Sequence, residues 1–379
     1  MRRVRALLRG QPQPRLGPDS GYSATAGLPF DDVDLESRLV WIWGSPRSGS
    51  TWLLRQLCHP ARLSARFPVG FAPPPAWRSP LDAVPVDEFL VSRHIAPPSG
   101  EPVDVDGGLV PATLNNYVGD FPGYAFARAF ADVWGPELRR LVLVRLAATL
   151  ERAAAEGIRL SDAPLILIKE VNGSHASDVV MSLFPRSRML FLVRDGRDVL
   201  DSRVHAHGEG GWLAEVEGAQ FRTPAERLAW VRSASREWVC NMDATRRAHD
   251  AHDPERRRVV GYEELLADPA GGLRSLFAWL GLARDSHRVE EIVADTAFSA
   301  IAAERRGESE PFRAATPGLW RRNLTADEQE VAEAVMGERL VELGYAVAGR
   351  SAGGSASSEA AATSRADASG AAATTEENA

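Results

Sequence analysis

The sequence predicts a three-layer α/β domain with a central parallel sheet flanked by helices. Three observations predict it. Four short apolar runs, LVWIWG (39–44), LILIK (165–169), MLFLVR (189–194) and RVVGY (258–262), have the unbroken pattern of strands buried on both faces. Helical patterns separate or succeed them, at 49–57, 126–157, 174–183, 198–206, 224–249, 270–280, 286–294 and 325–343. Strands alternating with helices pair in parallel, and the helices then cover both faces of the sheet.

Each part of the chain has its own signature. Residues 1–36 are rich in Pro, Gly and Arg without periodicity and read as a flexible basic leader. Residues 37–350 are the expected folded domain. Within it 60–125, rich in Pro and Gly, reads as an irregular insertion over the cleft at the strand ends, helped by a loop at 205–222. Residues 351–379, mostly Ala, Ser, Thr and Gly with scattered acids, read as a disordered tail. A 379-residue chain with 44% hydrophobic and 25% charged residues is ordinary for a globular protein.

Charge and cysteine content exclude several classes. A net charge of −7 argues against a nucleic-acid binder, so any anion site must be local. Two cysteines, Cys58 and Cys240, make neither a disulfide framework nor a metal-ligand spacing. The Arg-rich start lacks the apolar core of a secretory signal, and LVLVRLAATL is broken by Arg145, so no integral membrane association is expected. The expected location is cytoplasmic. Nothing in the sequence specifies an oligomeric state.

The chemistry is carried by the strand ends, where open parallel sheets bind ligands. The first strand runs into GSPRSGST, Gly44 to Thr51, the frame of a phosphate-cradling loop opening a helix. That makes the domain P-loop-type. Ser50, however, stands where a nucleoside triphosphatase has its lysine, and the loop's cation is Arg47. Backbone N–H groups of Ser48, Gly49, Ser50 and Thr51, the hydroxyls of Ser50 or Thr51 and the Arg47 guanidinium suit an anion. The second strand ends in Lys169-Glu170, the third in Arg194 and the fourth in Tyr262-Glu263. In LFLVRDGRDVLDSR, Asp195 is placed to cap the next helix with Asp198 in capping-box register. Ser202 lies two turns in, so that Arg194 and Ser202 suit a second phosphate.

Together these segments resemble the sulfotransferases that use 3′-phosphoadenosine 5′-phosphosulfate (PAPS), with Pro46-Arg47-Ser48-Gly49-Ser50-Thr51-Trp52-Leu53 matching the PRSGSTWL signature of bacterial and Golgi-type members. The resemblance implies that this loop cradles the 5′-phosphosulfate, that Arg47 stands where charge gathers on the bridging oxygen, and that Arg194 and Ser202 hold the 3′-phosphate. It implies an adenine environment of Tyr262, Thr296 and Phe298, and counts Trp52 of the signature among the cofactor-binding residues. PFRAATPGLWRRNLT is similar to the family's C-terminal segment through Arg313, Gly318, Trp320 and Asn323, although Ala314 and Ala315 replace its Lys and Gly.

The implied reaction is in-line sulfuryl transfer without a metal, to a hydroxyl or amine of a small-molecule, carbohydrate or glycolipid acceptor. Lys169 matches a lysine that approaches the sulfuryl oxygens. The histidine base found two residues later in cytosolic members is Val171 here, so Glu170 is the first alternative base. His175 is the second, against a reading as the first turn of a solvated helix, and His94 is a third. A P-loop kinase with an atypical loop and a non-catalytic sensor of adenosine bisphosphate are the competing readings. HAHGEGG (205–211) and HDAHD (249–253) read as helix ends rather than metal sites, Glu255 to Arg258 as a solvated loop, and Trp230 and Trp238 as packing on one helix.

Overall fold

The computed structural model describes residues 32–58, 83–87, 126, 130–155, 165–282, 288–301 and 316–347. The tail at 351–379, His94, Arg313, most of the leader and most of the 60–125 insertion lie outside the described residues.

In chain order the elements are α1 (Asp32–Ser37), β1 (Leu39–Gly44), α2 (Ser50–Cys58), β2 (Ala83–Asp87), α3 (Ala131–Ala155), β3 (Leu165–Lys169), a 3₁₀ turn (Val171–Ala176), α4 (Ser177–Leu183), β4 (Arg188–Val193), α5 (Gly196–His207), α6 (Trp212–Glu217) and α7 (Pro224–Ala251), followed by β5 (Arg257–Gly261), α8 (Tyr262–Ala267), α9 (Pro269–Leu280), α10 (Val289–Thr296), α11 (Trp320–Asn323) and α12 (Ala326–Glu342). The strands form one sheet in the order β2-β3-β1-β4-β5, and every pair is parallel.

Side chains alternate across a strand, so the apolar runs feed two cores at once. Leu39, Trp41 and Trp43 of β1 face one core with Ile166, Ile168, Met189, Phe191 and Val193, and α3, α4, α5, α7 and α12 close it. Val40 and Ile42 face the other with Leu165, Leu167, Leu190 and Leu192, under α2, α8, α9 and α10. Trp41 stacks on Trp43 with centroids 5.5 Å apart. Trp230 and Trp238 are buried in the first core, as their spacing predicts.

Four expectations are corrected. Residues 32–36 of the leader belong to α1, where Leu35 is fully buried and Glu36 accepts bonds from Arg139 Nη2 (2.5 Å) and Arg186 N (2.7 Å). The insertion contributes β2, hidden in a Pro-rich stretch because Pro85 reads as a breaker; β2 pairs only with β3 and is an edge strand, where proline is tolerated. The 205–222 loop is the end of α5 plus α6. Arg257 and Arg258 open β5 rather than sitting in a loop.

Strand register places the site. Gly44 pairs with Leu192, so Arg194 lies just beyond, beside the loop that leaves β1. Ile42 pairs with Lys169 on the other side. Val193 pairs with Gly261, which sets Tyr262 beside Arg194. The chain leaves β1 through α2 onto one face and β4 through α5 onto the other, opening a crevice between neighbouring strands.

Gly44, with φ of 153°, is the hinge of this arrangement, and a Cβ there would lie 2.4 Å from the Leu192 carbonyl oxygen. Because the obstruction is backbone, Gly44→Ala is expected to destabilise the protein by about 1–3 kcal/mol, measured by urea unfolding.

Candidate active site

The loop from Ser45 to Gly49 is shaped by short-range bonds. Ser48 N donates to Ser45 O (3.2 Å), and Leu53 N donates to Gly49 O (3.0 Å) as α2 begins. The first N–H groups of a helix have no intrahelical partners and point at whatever lies in the loop. Gly49 has φ of 90°, and a Cβ there would strike the Tyr262 ring at 2.5 Å. Ser174 at the 3₁₀ turn, fully buried, accepts from Gly44 N at 3.1 Å and ties the loop's first residue to the element after β3.

Arg47 has φ of 71°, and is the only described non-glycine residue with positive φ. Its carbonyl accepts from Arg194 Nη1 (2.8 Å), and its own Nε donates to Ser202 Oγ (3.1 Å). Its guanidinium lies 5.7 Å from the Trp212 ring centroid. Lys169, 5% exposed, directs Nζ to Thr51 Oγ1 at 3.4 Å. Arg194 lies 4.4 Å from the Tyr262 ring centroid, and Trp52 meets the same ring edge-on at 5.8 Å. Thus β1, β3, β4, α5 and α8 bring Arg47, Lys169, Arg194, Ser202 and Tyr262 around one loop.

Of the candidate bases, Glu170 is 1% exposed and comes directly after Lys169, its N–H donating to Ile42 O at 3.2 Å. His175, in the 3₁₀ turn, is 5% exposed, so it is not on a solvated helix. Thr296 is buried at the end of α10, which packs against α2, and its hydroxyl donates to Ile292 O at 2.7 Å. Phe298 lies just beyond in a short 3₁₀ turn.

The second motif departs from its expected capping box. Asp195 caps α5 by accepting from Arg197 N (2.9 Å), but the Asp198 carboxylate accepts instead from Gly318 N (2.7 Å) and Trp320 N (3.4 Å). Burial pushes the Asp198 carboxyl up, against the opposing pull of those bonds and of Arg194. Ser202, two turns into α5, accepts from Arg47 Nε at 3.1 Å.

A profile described as the sulfotransferase family matches residues 40–286, well over half of the chain. The chain belongs to the sulfotransferase family. Omega-hydroxy-beta-dihydromenaquinone-9 sulfotransferase Stf3 of Mycobacterium bovis is 30% identical over 117 residues, which cover 31% of this chain. The match spans only 29% of that relative's length. Among solved structures, mouse sulfotransferase SULT7A1 complexed with PAP is 13% identical with a TM-score of 0.43, over 80% of this chain and 85% of that one. Sulfotransferase STF9 from Mycobacterium avium is 16% identical with a TM-score of 0.41, over 83% of this chain and 78% of that one.

Several residues around the loop have partners that the sequence does not indicate. Glu263 accepts from Asp195 N (3.0 Å) and from the Tyr345 hydroxyl (2.9 Å), joining the second motif to the end of the domain. Trp212 reaches Arg47 from α6. His207 lies against Trp230 (5.3 Å) near the Arg203–Glu237 ion pair (2.7 Å). No group of three or more His, Cys, Asp or Glu that could hold a metal ion is found among the described residues. No helix is long and apolar enough to cross a membrane among them.

Burial, followed by Arg203 and Arg47, depresses His207 to about 4 from the ordinary 6.5. The unfolded chain therefore binds this proton at higher pH than the folded one, and His207 costs stability as pH falls from 6.5 toward 4. His207→Gln is expected to lose less stability than wild type between pH 7 and pH 4.5, measured by urea unfolding at both values. An equal loss would show that His207 stays exposed to water.

Proposed function

We propose that this protein transfers a sulfuryl group from PAPS to a hydroxyl or amine of a small-molecule, carbohydrate or glycolipid acceptor, without a metal. The observation that carries this reading is the pair of cationic positions on either side of one loop: Lys169 beside Thr51 from β3 at one, and Arg194 over the Tyr262 ring from β4 at the other. A donor with a 5′-phosphosulfate and a separate 3′-phosphate calls for two such positions and no Walker lysine.

The residues fit that donor. Ser48 Oγ and Arg194 Nε are buried polar atoms with no hydrogen-bond partner among the described residues, and each leaves a donor for a bound anion to satisfy. Gly49, held under Tyr262, lets the backbone approach closely where a Cβ would intrude. Ser48, Gly49, Ser50 and Thr51 would hold the 5′ end, Arg194 and Ser202 the 3′-phosphate, and Trp52, Tyr262, Thr296 and Phe298 the adenine. Arg313 is proposed beside the 3′-phosphate from the sequence match alone. When bound, PAPS supplies the activated sulfuryl group.

The chain's own contribution is positioning and charge. Arg47 presents its guanidinium where the leaving oxygen gains charge. Ser202 fixes that planar guanidinium through Nε, which sets the direction of its other N–H groups. Lys169 adds a second cation from β3. Glu170, delivered by the same strand end, is proposed to take the acceptor's proton, with His175 as the reserve candidate. Trp212 supplies an apolar wall beside Arg47, which suits an acceptor with an apolar or ring-bearing part. The menaquinone-derived acceptor in the mycobacterial relative's name is of that general kind.

Adenosine 3′,5′-bisphosphate at a hundred times its dissociation constant is expected to stabilise the fold by about 2.7 kcal/mol. That shift should appear as a raised melting temperature, exceed the effect of ADP, and vanish in Arg194→Ala. A shift with ATP–magnesium alone would instead assign the loop to a kinase. With an acceptor in hand, Arg47→Ala is expected to lower kcat by about 10²–10³-fold, the usual loss for one transition-state donor. Glu170→Gln should lower kcat with little change in donor KM, and full turnover by that variant would remove Glu170 as the base.

A further inference from the structure

Asp198 and Asp201 lie three residues apart on α5, on one face of the helix, and both are buried at 3% and 2% exposure. The sulfuryl-transfer reading assigns neither of them a task. A buried carboxylate is costly unless its lone pairs are satisfied. Here both receive hydrogen bonds from one stretch of chain. Asp198 Oδ2 and Oδ1 accept from Gly318 N (2.7 Å) and Trp320 N (3.4 Å), and Asp201 Oδ2 accepts from Asn323 Nδ2 (3.1 Å).

That stretch is built for the contact. Gly318 has φ of 82°, which turns its N–H toward α5, and a Cβ there would meet Arg321 Nη1 at 2.9 Å. Trp320 is gripped by the guanidinium of Arg197 at 4.2 Å and that of Arg321 at 4.5 Å. Its burial with Leu324 explains why the segment stays on the domain. It does not explain why two carboxylates of α5 receive its backbone and Asn323.

The position of α5 does. Ser202, one turn beyond Asp198, holds Arg47, and the Arg194 charge acts on the Asp198 carboxylate. The helix that carries the second anion position therefore also holds the turn at 316–320 beside it. We propose that Asp198 and Asp201 form a latch that pins Gly318–Asn323 against the Arg194–Ser202 position and so sets donor affinity. They are positioning residues, and touch no reacting atom. The consequence for affinity rests on the PAPS reading, whereas the latch itself does not.

The test uses the full chain and two readouts. Arg321 and Arg322 are exposed, so trypsin cleavage there, identified by mass spectrometry without ligand, reports docking of the segment. Calorimetry with adenosine 3′,5′-bisphosphate reports affinity. Asp198→Ala is expected to speed cleavage at Arg321–Arg322 at least ten-fold and to weaken the bisphosphate at least ten-fold. With an acceptor, kcat at saturating donor should stay within two-fold while donor KM rises. Asp198→Asn should fall between wild type and Asp198→Ala.

Gly318→Ala leaves Asp198 intact and strains the turn, so it should reproduce the pattern even if Asp198→Ala fails to fold. Unchanged cleavage in both Gly318→Ala and Asp198→Asn overturns the latch. Faster cleavage with unchanged bisphosphate affinity overturns its role toward the donor. If wild type binds no bisphosphate, the PAPS reading fails, and the cleavage rates decide the latch alone.

Discussion

Arg47 is held in a left-handed backbone conformation by a hydrogen bond at each end: Arg194 on its carbonyl and Ser202 on its guanidinium. A non-glycine residue in that region costs on the order of 1–3 kcal/mol and persists only when its surroundings hold it there. Glycine would sit there more easily but carries no cation. The strain therefore aims a charge that a relaxed loop would point elsewhere. The Arg194 guanidinium that supplies this bond lies over the Tyr262 ring, and Tyr262 is placed by the pairing of β4 with β5. The loop's geometry is thus a property of the whole sheet.

The same economy extends outward. Glu263, next to Tyr262 in the chain, receives Asp195 N on one oxygen and the Tyr345 hydroxyl on the other. Arg197 pairs with Asp195 (2.9 Å) and Glu333 (2.7 Å) and also donates to the Ala346 carbonyl (3.0 Å). These buried and half-buried bonds fasten α12 and the residues after it to the turn between β4 and α5. Breaking one partner of such a cluster leaves an uncompensated charge, so the cluster resists piecemeal change. The anion-binding turn inherits its rigidity from helices far along the chain.

The strands β1 and β3 were legible to the residue, because a fully buried parallel strand reads as a short continuous apolar run. The cations at three strand ends were legible for the same reason, since the end of a strand fixes where the next residue must lie. β2 was not legible, because Pro85 reads as a strand breaker in a Pro-rich stretch, and an edge strand needs less apolar sequence than a central one. Asp198 illustrates a second limit. Its spacing from Asp195 fits a capping box, and only the fold brings Gly318 close enough to compete for the carboxylate. Ser174 and Trp212 were silent because their partners lie far away in sequence.

The position of β1 at the centre of the sheet has a consequence for how the chain is made. β1 is the first strand of the sheet to leave the ribosome, yet its two neighbours, β3 and β4, emerge more than a hundred residues later. At 5–20 residues per second, the wait for β4 is roughly 7–30 s. For most of that interval, until β3 emerges, Leu39-Val40-Trp41-Ile42-Trp43 has no neighbour on either side. β1 thus waits longer for a partner than any other strand of the sheet. The order of synthesis thus leaves a strand destined for the centre of the sheet as an exposed apolar segment until its partners are made, the kind of segment that chaperones shield during translation.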